Sequence, residues 1–318
     1  MNLPEVYSLP LLGGETPAPR PCWRFGILCF TLFLLLVPAA AQAYWLPLTE
    51  RLIADGFDEH HLQMLFSRPE VRFEPLTMAG KISLLASKYQ DSSSIPGPVN
   101  HNKVYKGYGN SRLIARARSY MRENRASLKD ASARYGVPEE IIVSILLVET
   151  RLGRSTGRDL VFNRLASMAF CTDLEPIRPY LNGAVNPANE DNARYWLRKK
   201  SDWAYNELKA LLNYAALNGL DPLDLRGSIY GAIGLCQFMP SNIFSYGVDG
   251  DKDGRIDPFV TTDAIHSIAN YLQKHGWQGN IGREDRRKVI FAYNNSTVYV
   301  NTILAVADRI RGRAGAKR

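Results

Sequence analysis

The residue whose surroundings most clearly suggest chemistry is Glu149, which closes a strongly apolar segment, VPEEIIVSILLVETRLG. Ile141 and Ile145 precede it at helical spacing, so the pattern predicts a helix on which Glu149 shares the buried stripe. Burial and the negative end of the helix dipole both disfavour the charged carboxylate, so we expect its pKa to be raised. A glutamic acid that is protonated near neutral pH can donate a proton to a leaving group. The same residue could instead face solvent or pair with Arg151 or Arg154.

A second cluster lies in the glycine-rich segment GSIYGAIGLCQFMPSN, residues 227–242. Its glycines allow close backbone approach, and Ser228 and Gln237 supply hydrogen-bonding groups beside Phe238 and Met239. Amides that hold hydroxyl or N-acetyl groups, next to apolar faces that cover pyranose rings, suit a sugar site. A glycine-rich apolar loop is also common as a simple packing element, so this segment alone leaves both interpretations open.

A third cluster is the segment FAYNNS, residues 291–296. Ser296 is a typical N-cap residue and predicts that the last helix begins there, which would place Tyr293 and Asn294 at a helix entrance. The alternative is a plain loop in which the tyrosine packs and the asparagines turn the chain.

The segment DGDKDGRID, residues 249–257, places aspartates at the first, third and fifth positions of an EF-hand loop and a glycine at its sharp turn. Position twelve is Val260 instead of the usual glutamate. Asp263 could replace that ligand, although it competes as the cap of the next helix. The candidate ligands of a structural calcium ion are Asp249, Asp251, Asp253, the carbonyl of Arg255, Asp257 and Asp263. A merely acidic turn is the alternative.

The elements that must position these residues are predicted to be mainly helical. Helices are expected at about 58–65, 111–135, 138–152, 160–170, 196–217, 263–275 and 296–311. The segment 171–192 is interpreted as a surface excursion and 277–291 as a short connection. No stretch alternates convincingly between apolar and polar residues, but short strands near 229–236 are left open.

The first 43 residues are interpreted as an export signal. Two arginines precede a short apolar run, which ends near the small-residue sequence AQA. We expect export to the periplasm with cleavage after Ala43, and an uncleaved anchor is the alternative. Residues 44–100 would then form a small N-terminal helical unit and a linker, and residues 101–318 the larger domain.

The 318-residue chain carries a formal net charge of +8 at pH 7. This excess suits an anionic partner such as cell-wall peptide carboxylates or membrane phosphates. Nucleic acid is not expected, because no basic stripe is interleaved with aromatic residues. Cys171 and Cys236 could pair in an oxidising compartment or remain free.

Together, the motifs VETRLG, GAIGLCQFMPSN and AYNNST, with ANYL at 269–272 before the last, resemble those of lytic murein transglycosylases of the B type. The resemblance spans about residues 52–310 and implies a mainly α, lysozyme-like (α+β) catalytic domain. It further implies cleavage of the MurNAc–GlcNAc bond of peptidoglycan without water, which leaves a 1,6-anhydromuramyl end. A hydrolytic muramidase of the same fold and a non-catalytic peptidoglycan-binding protein are the alternatives.

By the same resemblance, Glu149 matches the family's single catalytic acid, which would donate one proton and then accept another from the substrate's 6-hydroxyl group. The resemblance implies substrate-binding residues at Ser228, Gln237, Tyr271, Tyr293 and Asn294, and at Lys199 and Lys200, where the family has arginines. No catalytic cofactor is implied. We expect a monomer that acts on peptidoglycan strands, with peripheral contacts to the membrane or to other cell-wall enzymes.

Overall fold

The computed structural model describes residues 44–90 and 103–312, without the side chains of 88–90. The predicted export signal, most of the predicted linker and residues 313–318 lie outside the described residues. The described chain is mainly α, as predicted. No helix within these ranges is long and apolar enough to cross a membrane.

Each predicted range is helical, and the structure holds further helices between these ranges. In chain order the helices are α1 (44–54), α2 (Glu59–Phe66), α3 (Pro75–Gln90), α4 (Ser111–Glu123), α5 (Arg125–Tyr135), α6 (Glu139–Thr150), α7 (Val161–Phe170), a 3-10 helix (Glu175–Tyr180), α8 (Glu190–Asn218), α9 (Pro240–Tyr246), α10 (Thr261–Lys274), α11 (Arg283–Tyr293) and α12 (Thr297–Arg311).

Helix α6 lies at the centre of the packing, in contact with α4, α5, α10 and α12. Every residue from Ile141 to Leu147 is buried, so the predicted one-sided stripe is wrong. Apolar residues cover the whole circumference because neighbouring helices surround it. The helix also ends before residue 152, the predicted end: its C-cap is Arg151, with φ of 53°, and Leu152 is left-handed as well.

A two-stranded antiparallel ribbon joins the end of the α6 region to the glycine-rich segment. Strand β1 (Asp159–Leu160) pairs with β2 (Arg226–Gly227), with Asp159 opposite Gly227. Isolated bridges then link Gly227 to Ile233 and Ile233 to Phe238, so pairing occurs within the 229–236 region that was left open.

The predicted helix 111–135 is two helices instead of one. The chain turns at Asn124, whose φ is −109° and whose side-chain amide donates to the Tyr120 carbonyl. Asparagine competes for backbone hydrogen bonds in this way, which makes it a poor interior helix residue. The predicted 196–217 helix is also longer, beginning at Glu190.

Two segments to which the sequence analysis assigned no helix contain helices. The 171–192 excursion holds a 3-10 helix flanked by the buried residues Leu174 and Leu181, with Ile177 buried within it. The 277–291 connection is largely helix α11. Tyr293 is therefore the last residue of one helix, and Asn294 lies in the tight turn before the next.

The N-terminal helices pack against α7, α8 and the 3-10 helix. An aromatic cluster fills this contact, with Trp45 lying 5.4 Å from Phe170 and 5.5 Å from Phe66. The Arg164 guanidinium of α7 bonds Glu74 at 2.9 Å, which ties the two parts together in a partly buried ion pair. As predicted, Asp58 caps α2 by accepting from the His61 amide.

Candidate active site

Glu149 occupies the last turn of α6, where its side chain is partly buried. Burial raises its pKa from an ordinary value of 4.5 to about 7, and an interaction with the Tyr299 hydroxyl lowers it slightly. No ion pair of Glu149 occurs among the residues described, so the predicted alternative of pairing with Arg151 or Arg154 is not observed. Burial thus favours the protonated carboxyl group, which is the direction that the sequence predicted.

Tyr299 is the neighbour that sequence reasoning missed. Its side chain is 1% exposed, and its hydroxyl group has no partner of ordinary hydrogen-bond geometry within the described chain. Its pKa is raised well above 10, first by burial and then by the charge of Glu149. The available signal was the N-cap at Ser296, whose Oγ accepts from the Tyr299 amide at 3.3 Å and so fixes the first turn of α12.

Tyr293 connects Glu149 to the glycine-rich segment. Its hydroxyl group donates to the Cys236 carbonyl at 2.5 Å. Burial raises its pKa, and the charges of Cys236 and Glu149 raise it further. The Tyr293 ring lies 4.9 Å from that of Tyr271, whose hydroxyl donates to the Ala292 carbonyl at 2.8 Å. Tyr271 and Tyr293 therefore form a neutral aromatic wall near Glu149.

The glycine-rich segment is anchored to the end of α6. The Thr150 hydroxyl donates to the Leu235 carbonyl at 3.1 Å. The Gln237 side-chain amide donates to the Thr156 carbonyl at 3.0 Å and to the Gly234 carbonyl at 2.9 Å. Gln237 has a φ of 51°, so its backbone is held in an unusual conformation for a non-glycine residue. These bonds fix the segment beside the Glu149 region.

The Ser228 side chain makes hydrogen bonds within its own loop. Its Oγ accepts from the Ala232 amide at 3.0 Å and from the Tyr230 amide at 3.4 Å. The loop is tight because a Cβ added at Gly227 would lie 2.2 Å from the Ala232 carbonyl oxygen. A glycine is therefore required where β2 meets this loop.

The remaining predicted sugar-site residues are Asn294, Lys199 and Lys200. Asn294 is exposed in the turn between α11 and α12, and its backbone carbonyl accepts from the Ser296 amide at 2.7 Å. Lys199 is exposed on α8, whereas Lys200 is partly buried there. The structure gives no direct contact of these three residues with Glu149. Cys171 and Cys236 are both buried free thiols.

Three of the six predicted metal ligands converge. Carboxylate oxygens of Asp249, Asp251 and Asp263 lie within 4.8 Å of one another. The remaining aspartates of the loop accept backbone amides, Asp253 from Arg255 and Asp257 from Phe259. Hard oxygen ligands of this kind fit calcium.

Asp263 does not cap α10, contrary to that part of the prediction. The helix N-cap is Val260, and Asp263 lies buried in the first turn. Its two oxygens accept the amides of Gly250 and Asp257 at 2.9 and 2.8 Å. Burial raises the pKa of Asp263, and the charge of Asp251 raises it further. A cation between these carboxylates would relieve both effects, so the donor set fits a metal ion.

A partly buried carboxyl group with a raised pKa, beside tyrosines and a rigid glycine-rich loop, can serve as a general acid toward a glycoside. In a mainly helical fold these features define a lysozyme-like class of protein. The comparison with family models makes this specific, because a transglycosylase SLT domain model matches residues 40–284. The chain belongs to this transglycosylase SLT domain family.

Known proteins agree with this assignment. The chain is 29% identical over 226 residues to the membrane-bound lytic murein transglycosylase B of Escherichia coli (strain K12), a match that covers 70% of this chain. The match covers 54% of that relative, so the chain spans about half of its length. The lytic transglycosylase SltB1 of Pseudomonas aeruginosa is 26% identical, with a TM-score of 0.62 and coverage of 86% and 99% of the two chains.

The fold also matches that of Escherichia coli lytic transglycosylase SLT35. Its structure in complex with calcium is 22% identical to this chain, with a TM-score of 0.63. The alignment covers 85% of this chain and 93% of that one. The predicted lysozyme-like, mainly α fold is confirmed.

Proposed function

We propose that this protein is a lytic transglycosylase that cleaves the MurNAc-β-1,4-GlcNAc bond of peptidoglycan and leaves a 1,6-anhydromuramyl end. The observation that carries the proposal is the pKa of Glu149, about 7, in a family of transglycosylases. Murein is the substrate that the name of the Escherichia coli relative gives.

In the first step, the protonated Glu149 carboxyl donates its proton to the glycosidic oxygen as the C1–O bond breaks. The GlcNAc product leaves with a neutral hydroxyl group, and positive charge develops at C1 and the ring oxygen of the muramyl sugar. The carboxylate that remains is close to this charge. Protonation by a positioned acid typically accelerates such a step by about 10²–10⁴-fold.

In the second step, the Glu149 carboxylate removes the proton from the 6-hydroxyl group of the same muramyl sugar. That oxygen then forms a bond to C1, and Glu149 returns to its protonated state without consumption of water. An intramolecular nucleophile has a high effective concentration and outcompetes water. In support, the sequence motifs around Glu149 hold no obvious second acidic partner, which the two-carboxylate scheme of most glycosidases would need.

The surrounding residues would bind and orient the sugars. Tyr271 and Tyr293 offer aromatic surface next to the acid, and Gln237 and Ser228 shape the loop that faces it. We assign Asn294, Lys199 and Lys200 to more distant contacts, because Asn294 and Lys199 are exposed and Lys200 is only partly buried. The pair of lysines would contact the substrate as point charges, without the planar fork of arginine.

Asp249, Asp251 and Asp263 would hold a structural calcium ion, with further oxygens from Asp253, Arg255 and Asp257. The loop lies between α9 and α10, and α10 carries Tyr271. A bound cation would thus stabilise the loop without entering the reaction. The complex of SLT35 with calcium supports this assignment.

We propose that residues 1–43 are an export signal and that the protein acts in the periplasm. The basic net charge suits the carboxylates of peptidoglycan. The Escherichia coli relative is named as membrane-bound, which supports the proposal that this protein acts at the cell envelope.

The proposal is tested with purified protein in a gel that contains embedded peptidoglycan. We expect wild type to clear the gel and Glu149→Gln to fail. Glu139→Gln is the matched control, because it removes a partly buried carboxyl group from the first turn of the same helix. Clearing by Glu149→Gln at the wild-type rate would overturn the role of Glu149. Binding without clearing by wild type would indicate a peptidoglycan-binding protein instead.

A further inference from the structure

The irregular segment 103–110, which leads into α4, bonds both α6 and α12, the helices of the candidate acid and of its tyrosine neighbour. On α12, the Thr302 hydroxyl oxygen accepts from the Tyr105 amide at 2.9 Å. On α6, the Val148 carbonyl accepts from the Tyr108 hydroxyl at 3.2 Å. One short stretch of chain therefore ties the last turn of α6 to the first turns of α12.

The Val148 carbonyl needs a donor from outside its helix. It is one of the last carbonyls of α6, which the helix itself leaves without partners. The Leu152 amide would continue the helical pattern to Val148, but it donates to the Leu146 carbonyl at 3.0 Å because the chain is left-handed there. The Tyr108 hydroxyl supplies a donor instead. This bond holds the peptide group that joins Val148 to Glu149.

The other end of the segment is fixed close to Tyr299. Thr302 lies three residues beyond Tyr299, so the two side chains are neighbours on one side of α12. Thr302 is 1% exposed, and its hydroxyl donates to the Val298 carbonyl at 2.7 Å, which leaves the oxygen to accept from the Tyr105 amide. The segment therefore bonds α6 beside Glu149 and α12 one turn from Tyr299.

We propose that segment 103–110 positions Glu149 against Tyr299 and the substrate, and that Tyr108 is a positioning residue that acts through the Val148 peptide group. The inference rests on the proposed function, in which the Glu149 carboxyl group must reach the glycosidic oxygen and then the 6-hydroxyl group. The geometry of such an acid matters, because a misplacement of about 1 Å can lower the rate about 10²-fold.

The test releases each end of the segment separately. Tyr108→Phe removes the hydroxyl and keeps the ring, and Tyr180→Phe, at an exposed position of the 3-10 helix, is the matched control. Thr302→Val removes the oxygen that accepts from the Tyr105 amide, whereas Thr302→Ser keeps it. The kcat and KM of each variant are measured on soluble glycan strands.

We expect Tyr108→Phe and Thr302→Val each to lower kcat about tenfold with KM little changed. Tyr180→Phe and Thr302→Ser should keep the wild-type values. The double variant of Tyr108→Phe and Thr302→Val should lose little more than either alone, because both release the same segment. A wild-type kcat in Tyr108→Phe, a rise in KM in place of the fall in kcat, or additive losses in the double variant would overturn the proposal.

Hydrogen exchange of backbone amides tests the positioning without any activity. The amides of residues 149–152 should exchange faster in Thr302→Val than in Thr302→Ser, although residue 302 belongs to another helix. Equal exchange in these two variants would also overturn the proposal. If wild type cleaves no strands or releases hydrated ends, the proposed function fails, and the comparison of exchange rates still decides whether the segment positions the end of α6.

Discussion

Glu149 depends on its position at the end of an otherwise apolar helix. The seven residues from Ile141 to Leu147 are buried, so the helix cannot turn its last charged residue toward bulk water without leaving its neighbours. The carboxyl group is therefore desolvated, and its protonated form is favoured. The Tyr299 hydroxyl has the opposite effect, because it lowers the pKa of Glu149. The pKa is therefore about 7 instead of higher.

The pH dependence of activity follows from this balance. Because the acid must be protonated at the start of the cycle, kcat/KM should fall as pH rises through about 7. Tyr299→Phe removes the interaction that lowers the pKa of Glu149, so the alkaline limb should move to higher pH. The measurement is kcat/KM on soluble glycan strands from pH 5 to 9. An alkaline limb that stays in place in Tyr299→Phe would contradict this description of the site.

The same shift makes a prediction for stability. The pKa of Glu149 is raised in the folded state, so its contribution to stability is present below about 4.5 and is lost as pH rises through about 7. Glu149→Gln cannot ionise, so its melting temperature should exceed that of wild type more at pH 8 than at pH 5. Thermal unfolding at the two pH values measures this difference, with Glu139→Gln as control. A difference that does not grow with pH would mean that the carboxyl group is not desolvated.

At the residue scale, the sequence indicated the acid but not its neighbour. Glu149 stands out because a carboxylate follows a long apolar run, and burial of that run raises the pKa. Tyr299 looks like one more apolar residue of the last helix. Its approach to Glu149 depends on how α12 crosses α6, which spacing along the chain does not specify.

At the scale of elements, the glycine-rich loop is the most tightly constrained part of the site. A Cβ added at Gly227 would lie 2.2 Å from the Ala232 carbonyl oxygen and 2.7 Å from Val161. Gly227→Ala should therefore destabilise the protein by about 1–3 kcal/mol and reduce activity. Gly80→Ala, in helix α3 with nothing within 4 Å, should stabilise it by about 0.5–1 kcal/mol. Urea unfolding measures both, and a Gly227→Ala variant as stable as wild type would refute the close packing.

The acidic loop makes a separate prediction. Calcium added to chelator-treated protein should raise the melting temperature by roughly 5–10 °C at saturating concentration. Asp249→Asn should lose most of this gain, because it removes one of the three converging carboxylates. Asp224→Asn, an exposed acid outside the loop, should keep it. The readout is thermal unfolding with calcium and with magnesium. If calcium leaves the melting temperature of wild type unchanged, the loop is an acidic turn and not a calcium site.

Helix boundaries were predicted best where local chemistry sets them. Asp58 and Ser296 cap their helices as the sequence indicated, since their side chains bond nearby amides. Helix α11 was missed because its first two turns are almost entirely charged, and its burial is confined to Val289 and Ile290. Asp263 does not take the cap role predicted for it, because its carboxylate accepts the amides of Gly250 and Asp257 in the preceding loop.

At the scale of the molecule, the N-terminal helices are joined to the rest by a continuous core. Apolar residues of α1 to α3 belong to the same buried cluster as those of α6 to α8. Tyr205 of α8 donates to the carbonyl of Arg51, and Asn163 of α7 to the carbonyl of Glu70. The division into an N-terminal unit at 44–100 and a domain at 101–318 stays a prediction, and the described residues of the two parts pack extensively against each other.

The chemistry of the products tests the central claim most directly. Purified sacculi are digested with wild-type protein, and the released muropeptides are weighed by mass spectrometry. If Glu149 acts alone and the substrate's own 6-hydroxyl attacks C1, the new muramyl ends are 1,6-anhydro and weigh one water less than hydrolysed ends. Glu149→Gln should release neither kind. Muramyl ends that carry the added water would contradict the account and make this protein a muramidase.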